Sequence, residues 1–304
     1  MVQSMTTLEE RQYNGNDNPN DNPNDNDSPN DNENDNPNDN ENDNENDNPN
    51  LQFSISNNPR PMTLLYRIYQ LFIAAPLLIL ITVITALTTI IGSTLGSAHF
   101  WGYWPGRIWS RWFMRILLLP VHIEGHEHID KETSYVFVAN HQGSFDIFLV
   151  YGYLGRNFKW MMKSELRKAP LIGKACEAAG HIFVNKRGPK ALQETHDRAH
   201  EILQGGTSLV VFPEGERTLT GEMGSFFRGA YQLADELQLP VVPITINGPY
   251  HVLSRKRGPV NFVYWHRLSM NIHEPIPPIG KGAENIKNAM DLSREAIASG
   301  LEKK

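Results

Sequence analysis

Residues 134–154 read SYVFVANHQGSFDIFLVYGYL: an apolar run, a short polar turn and a second apolar run. The first run, SYVFVAN, is rich in β-branched and aromatic residues and has the length of a buried strand, while DIFLVYGYL reads as a helix. His141 follows the strand directly and Asp146 opens the helix, with Gln142, Gly143, Ser144 and Phe145 between them. Gly143 permits a tight turn, so Asp146 can curl back to the imidazole and fix its tautomer. That arrangement leaves the other ring nitrogen free as a general base near neutral pH. The same spacing fits a plain turn in which Asp146 caps the helix.

The alternation continues outward from this stretch. Strands are expected at VHIEG (121–125), HIFVN (181–185), SLVVFP (208–213), LPVVPITIN (239–247) and FVYWHRLSMNI (262–272). Helices are expected at ALQETHDRAHEILQ (191–204), GAYQLADELQ (229–238) and NIKNAMDLSREAIASGL (285–301), the first of them stopped by Gly205-Gly206. Strands alternating with helices imply an α/β domain with a mostly parallel central sheet flanked by helices. The polar motifs gather at strand ends, where open α/β sheets bind ligands.

Three segments are expected: a tail over 1–58, a membrane-anchoring and interfacial part over 59–119, and the α/β domain over 120–304. Residues 14–50 are almost wholly Asn, Asp, Glu and Pro and hold nothing apolar to offset the cost of ordering, so the tail reads as disordered. The first fifty residues carry 14 acidic groups and one arginine, leaving 20 acidic and 27 basic residues in the rest of the chain. The formal net charge of −6 therefore conceals a basic body suited to a phosphate-bearing substrate or a lipid surface. No nucleic-acid-binding module accompanies that charge. Cys176 is the only cysteine, so no intrachain disulfide forms.

Between Arg67 and Arg107 the sequence has no Asp, Glu, Lys or Arg. Its core, residues 71–95, exceeds the roughly 20 residues that cross a bilayer. Pro76, Gly92 and Gly96 leave a straight span, a kinked helix and a re-entrant hairpin all open. Beyond it, Arg107, Arg111 and Arg115 recur every four residues among Trp109, Trp112, Phe113 and Ile116, as in a helix lying among lipid headgroups. Those cations place the following domain on the cytoplasmic side, with Arg60 and Arg67 on the opposite flank weakening the bias.

A second polar cluster, FPEGER (212–217) followed by SFFRGA (225–230), sets Arg217 and Arg228 beside glycines at a strand-to-helix junction. Arginines and backbone N–H groups in such a place can grip a phosphate, and a solvated salt-bridge cluster is the plainer alternative. His196 and His200 stand four apart on a helix, but HDRAH lacks the glutamate of HExxH and a third ligand, so no metal is expected. The chain has neither a GxSxG elbow nor a Walker A loop.

Together these residues resemble the 1-acylglycerol-3-phosphate acyltransferases, a glycerolipid acyltransferase family. NHQGSFD (140–146) is similar to its NHxSxxD block, with Ser144 one place later than the usual serine, and FPEGER is similar to FPEGTR, with Glu216 for the threonine. KSELRKAPLIGK (163–174), GHIFVNKR (180–187) and LPVVPITING (239–248) extend the resemblance over roughly residues 66–278.

The resemblance implies an enzyme moving a fatty acyl group from an acyl thioester to the 2-hydroxyl of lysophosphatidate, giving phosphatidate, at a membrane. It implies His141 as base and Asp146 as its orienting partner. Arg217, with Glu214 and Gly215 shaping its loop and Lys186 or Arg187 assisting, would bind the acceptor phosphate, while Pro243 and Arg228 would serve the acyl donor or the pocket. No cofactor is implied, the donor being acyl-CoA or an acyl carrier protein. Another lysolipid acceptor, or a membrane-tethered lipid-binding protein without turnover, are the competing readings.

Overall fold

The structure, a computed structural model, describes residues 61–184, 189–204, 207–257 and 262–302. The acidic tail, Lys186, Arg187 and the Gly205-Gly206 helix stop lie outside the described residues.

Helix α1 (Pro61–Tyr69), a π-helical turn (Gln70–Ala74) and α2 (Ala75–Leu95) follow one another as a single rod. Pro76 has no N–H for the carbonyl four residues earlier, and the wider π-turn just ahead of it absorbs that loss. Residues 63–95 are long and apolar enough to cross a membrane, and no hairpin forms at Pro76. The short α3 (Ala98–Trp101) leads to α4 (Trp104–Ile116). The rod is strapped to α4 by Tyr66 Oη to the Leu117 carbonyl (2.6 Å), Tyr69 Oη to the Ile116 carbonyl (2.7 Å) and Trp109 Nε1 to Thr82 Oγ1 (2.9 Å).

The α/β part then runs β1 (Val121–Glu124), β2 (Val136–Ala139), α5 (Asp146–Tyr153), β3 (Phe158–Lys163), α6 (Ile172–Ala178), β4 (Ile182–Val184) and α7 (Pro189–Gln204). It continues with β5 (Ser208–Val211), α8 (Gly229–Leu237), β6 (Val241–Asn247), α9 (Pro249–Leu253), β7 (Leu268–Ile272) and α10 (Ala283–Ser299). Among the described residues the strands form one sheet, ordered β1-β7-β6-β2-β5-β3-β4. Strands β6, β2, β5, β3 and β4 are parallel; β7 runs antiparallel to β6 and pairs β1 in parallel at the edge. The mostly parallel sheet expected from sequence is therefore present.

Strand alternation divides the core into two layers. On β2, Phe137 and Ala139 join an aromatic cluster with Met114, Leu149, Phe158 and Trp160 beneath α4 and α5. Val136 and Val138 face the opposite way, with Leu203 and Leu233 beneath α7 and α8. Each fully buried large side chain contributes about 1.5–3 kcal/mol by leaving water.

Strand β3, FKWMMK, is absent from the sequence reading because its lysines mask the alternation. Lys159 is buried within the sheet with its Nζ donating to the Ala179 carbonyl at 2.6 Å, and burial pushes its ammonium down to about 8. Conversely, only the last five residues of FVYWHRLSMNI join the sheet. Val263 exchanges two hydrogen bonds with the Gln70 amide (2.8 and 2.9 Å), and Trp265 Nε1 donates to the Leu118 carbonyl (2.9 Å), tying that segment to the N-terminal helices instead.

Candidate active site

His141 lies just past the C-terminal end of β2, and FPEGER just past the end of β5, the parallel neighbour of β2. Asn140 sets the direction of the first loop. Its amide nitrogen donates to the Ile246 carbonyl (2.9 Å) and its carbonyl oxygen accepts the Ile246 N–H (2.7 Å), so the loop departs pinned to β6.

The imidazole Nδ1 of His141 is 2.6 Å from Oδ2 of Asp146. The same oxygen accepts the Gly143 N–H at 2.9 Å, so Asp146 closes the turn and orients the ring together, while the cap position falls to Phe145 and no side chain caps the helix. A Cβ at residue 143 would stand 2.7 Å from the Pro249 carbonyl oxygen, which is why the turn has glycine there. Asp146 is fully buried, and its Oδ1 has no hydrogen-bond partner among the described residues. Burial pushes its carboxyl above the ordinary aspartate range, opposed by the hydrogen bonds from His141 and Gly143.

Phe212 lies flat on the His141 ring, centroids 4.0 Å apart and planes 7° from parallel, and Trp160 stacks on Phe212 at 5.4 Å. This aromatic pile fixes the ring plane. With Nδ1 held by Asp146, Nε2 is the nitrogen left for a reacting hydroxyl, and the side chain keeps 14% of its surface open.

Glu214 turns inward. Its Oε1 accepts the His141 N–H and its Oε2 the Gly224 N–H, both at 2.7 Å, which joins the two loops. Burial raises its carboxyl, and the two amide bonds oppose the rise. The Thr218 N–H returns a hydrogen bond to the His141 carbonyl at 2.9 Å. Gly215 has φ +72°, a left-handed value that glycine takes freely, and a Cβ there would press on the Phe227 ring. Arg217 follows, with Nη1 donating to Ser144 Oγ at 2.5 Å. Glu216 is held by Arg255 at 2.6 Å, so its charge is balanced beside Arg217.

Hence His141, Asp146, Glu214, Gly215 and Arg217 converge at one end of the sheet. Arg228 stands exposed ahead of α8, and Pro243 is buried in the middle of β6 opposite Val138. Neither lines the cavity of about 300 Å³ that opens beside the site, walled by Gln70, Ala74, Leu78, Phe113, Phe148 and Leu253 with Ser144 at its edge. Single residues along the chain gave no sign of the Glu214 clasp, the Phe212–Trp160 pile or the Ser144–Arg217 bond. His196 pairs with Glu236 at 3.0 Å, and no group of three or more metal-ligating side chains occurs among the described residues.

An acyltransferase family model matches residues 120–247. The chloroplastic 1-acyl-sn-glycerol-3-phosphate acyltransferase of Arabidopsis thaliana is 32% identical over 157 residues, 51% of this chain and 43% of that protein. The alpha enzyme of the same name from Mus musculus is 30% identical over 193 residues, 60% of this chain and 67% of the mouse protein. The crystal structure of the 1-acyl-sn-glycerophosphate acyltransferase PlsC of Thermotoga maritima superposes with a TM-score of 0.63 at 28% identity, covering 79% of this chain and 98% of that one. The matched part of the chain spans about half the length of the first plant and algal relatives. With the motifs, the sheet order and these likenesses in agreement, the chain belongs to the 1-acyl-sn-glycerol-3-phosphate acyltransferase family.

Proposed function

We propose that the protein transfers a fatty acyl group from an acyl thioester to the 2-hydroxyl of 1-acylglycerol-3-phosphate, yielding phosphatidate. The observation that carries this reading is the 2.6 Å contact between His141 Nδ1 and Asp146 Oδ2 within reach of the Arg217 loop. The acceptor's phosphate meets Arg217, whose guanidinium supplies several N–H donors in a fork. Anchored there, the 2-hydroxyl approaches His141 Nε2. As that nitrogen takes the hydroxyl proton, the oxygen attacks the thioester carbonyl, and Asp146 stabilises the imidazolium. Collapse of the tetrahedral intermediate forms the ester and expels the thiolate, which takes the proton back from His141. General-base assistance supplies about 10²- to 10⁴-fold, and holding the two substrates together supplies the larger remainder.

The apolar cavity gives an acyl chain a place beside the reacting atoms. The rod of α1 and α2 lies alongside α4 and α6 rather than projecting from the domain, and only 11% of its most apolar window is buried. We therefore place its outer flank, together with Ile108 and Trp112 of α4, within one lipid leaflet, the domain resting on the cytoplasmic surface. The donor is acyl-CoA or an acyl carrier protein, both thioesters of a phosphate-bearing thiol.

The test is a panel of acceptors given to the purified protein in detergent, with products identified by mass spectrometry. Phosphatidate formed from lysophosphatidate well ahead of lysophosphatidylcholine, an amino-acid lysolipid and monoacylglycerol is the expected result. Equal rates on acceptors with and without a phosphomonoester would refute the assignment.

A further inference from the structure

We infer that Ser144 is a positioning residue that holds the anion-gripping arginine at the rim of the apolar cavity. The inference rests on the reading of Arg217 as the group that meets the acceptor's phosphate.

Ser144 lies inside the loop that carries His141 and Asp146, and its Oγ accepts a hydrogen bond from Arg217 Nη1 across 73 residues of chain at 2.5 Å. Among the described residues it is the one side chain that bonds the Arg217 guanidinium. A free arginine side chain has about 2 kcal/mol of rotamer entropy, so an untethered guanidinium would sweep a wide volume. One N–H given to Ser144 fixes the fork relative to the His141 loop and leaves the remaining donors to face an anion. The serine oxygen, while accepting from arginine, keeps its own proton to donate to the same anion.

The placement follows from the packing of the turn. Residue 143 has no room for a side chain against the Pro249 carbonyl, so the hydroxyl stands at 144. The neighbouring charge does not compete, because Glu216 is taken by Arg255, which also donates to the Arg217 carbonyl at 3.4 Å. Ser144 is also one of two polar side chains lining the cavity. The other, Gln70, has its amide bonded both ways to the Val263 backbone, so Ser144 with Arg217 forms the polar end of an otherwise apolar space. A headgroup held there keeps a fixed offset from both the catalytic imidazole and the room for a hydrocarbon chain.

A double-mutant cycle on the full chain in detergent tests this. Ser144→Ala should raise the KM for lysophosphatidate about tenfold, as expected for one lost charge-assisted hydrogen bond, with kcat within about twofold and the donor KM unchanged. Ser144→Thr, which keeps the hydroxyl, should recover most of the loss. In an Arg217→Ala background the serine substitution should add less than about twofold. Binding of water-soluble glycerol 3-phosphate, read by calorimetry, should weaken in the same pattern. An unchanged acceptor KM in Ser144→Ala, a full additional loss in the Arg217→Ala background, or equal rises in both substrate KM values would overturn the inference. If the wild type shows no phosphate preference in turnover while glycerol 3-phosphate binding keeps the non-additive pattern, the functional assignment fails and the role of Ser144 stands.

Discussion

The two faces of the sheet are built for different surroundings. The face beneath α4 and α5 is crowded with aromatic rings, including Tyr103, Phe137, Tyr151, Phe158 and Trp160, and is flanked by a rod whose outer side chains, Ile79 and Leu80 among them, stay exposed. The face beneath α7, α8 and α10 is mostly aliphatic, with Leu203, Leu209, Leu233 and Ala289 inside beside the one buried ring of Tyr231, and charged residues outside. The loop that carries His141 belongs to the first face, since Phe145, which precedes Asp146, is buried in its cluster and Phe212 packs against it. One side of a single sheet therefore carries the aromatic core, the apolar rod and the His141 loop, and the other carries a mostly aliphatic core under charged helices.

The largest expected effect falls on the first face. His141→Ala should lower kcat/KM by about 10²- to 10⁴-fold in protein that remains folded by circular dichroism; residual activity near wild type would remove the imidazole from the chemistry. Next comes the second face, where Leu233→Ala should cost about 2–5 kcal/mol in denaturant unfolding while vesicle binding of the folded protein is unaltered. Weaker binding in that variant would mean that the division between the faces is not functional.

A smaller effect should come from Ile108→Ala with Trp112→Ala, two side chains more than half exposed on α4. Partition into anionic vesicles should drop about tenfold while stability moves by less than about 0.5 kcal/mol. Equal partition with and without these side chains would leave α4 out of the membrane contact.

An effect absent at neutral pH concerns His181, buried under the aromatic face, where its Nδ1 accepts the Trp160 backbone N–H at 3.3 Å. Burial lowers this imidazole from 6.5 to about 3. Between those values the unfolded chain binds a proton that the folded one refuses, so stability is lost as pH falls through that window. His181→Asn should lessen the slope there by up to about 1.4 kcal/mol per pH unit. Parallel curves for the two proteins would show that His181 titrates in the folded state.

Local patterns made several features legible. The charge-free run after Arg67 read as apolar and helical, SYVFVAN and SLVVF had the length and branching of buried strands, and the five-residue interval from His141 to Asp146 fits a turn between strand and helix. Strand β3 stayed hidden because a buried lysine looks polar until its partner, the Ala179 carbonyl, is in place. The short α6 was hidden for lack of an amphipathic period, its residues IGKACEA being mostly small.

What the sequence by itself determined is thus most of the elements, the order of the motifs and the candidacy of His141, Asp146 and Arg217, because periodicity and residue type act over a few positions. Tertiary structure alone decided that Glu214 clasps two loops, that Phe212 and Trp160 hold the imidazole plane, that Ser144 meets Arg217, and that the apolar rod lies along the domain. Apart from the Glu214–Gly224 bond, which spans ten positions, those contacts join residues tens of positions apart, and no local preference selects such a partner. Only the parallel pairing of β2 with β5, which brings two distant loops to the same end of the sheet, makes them neighbours.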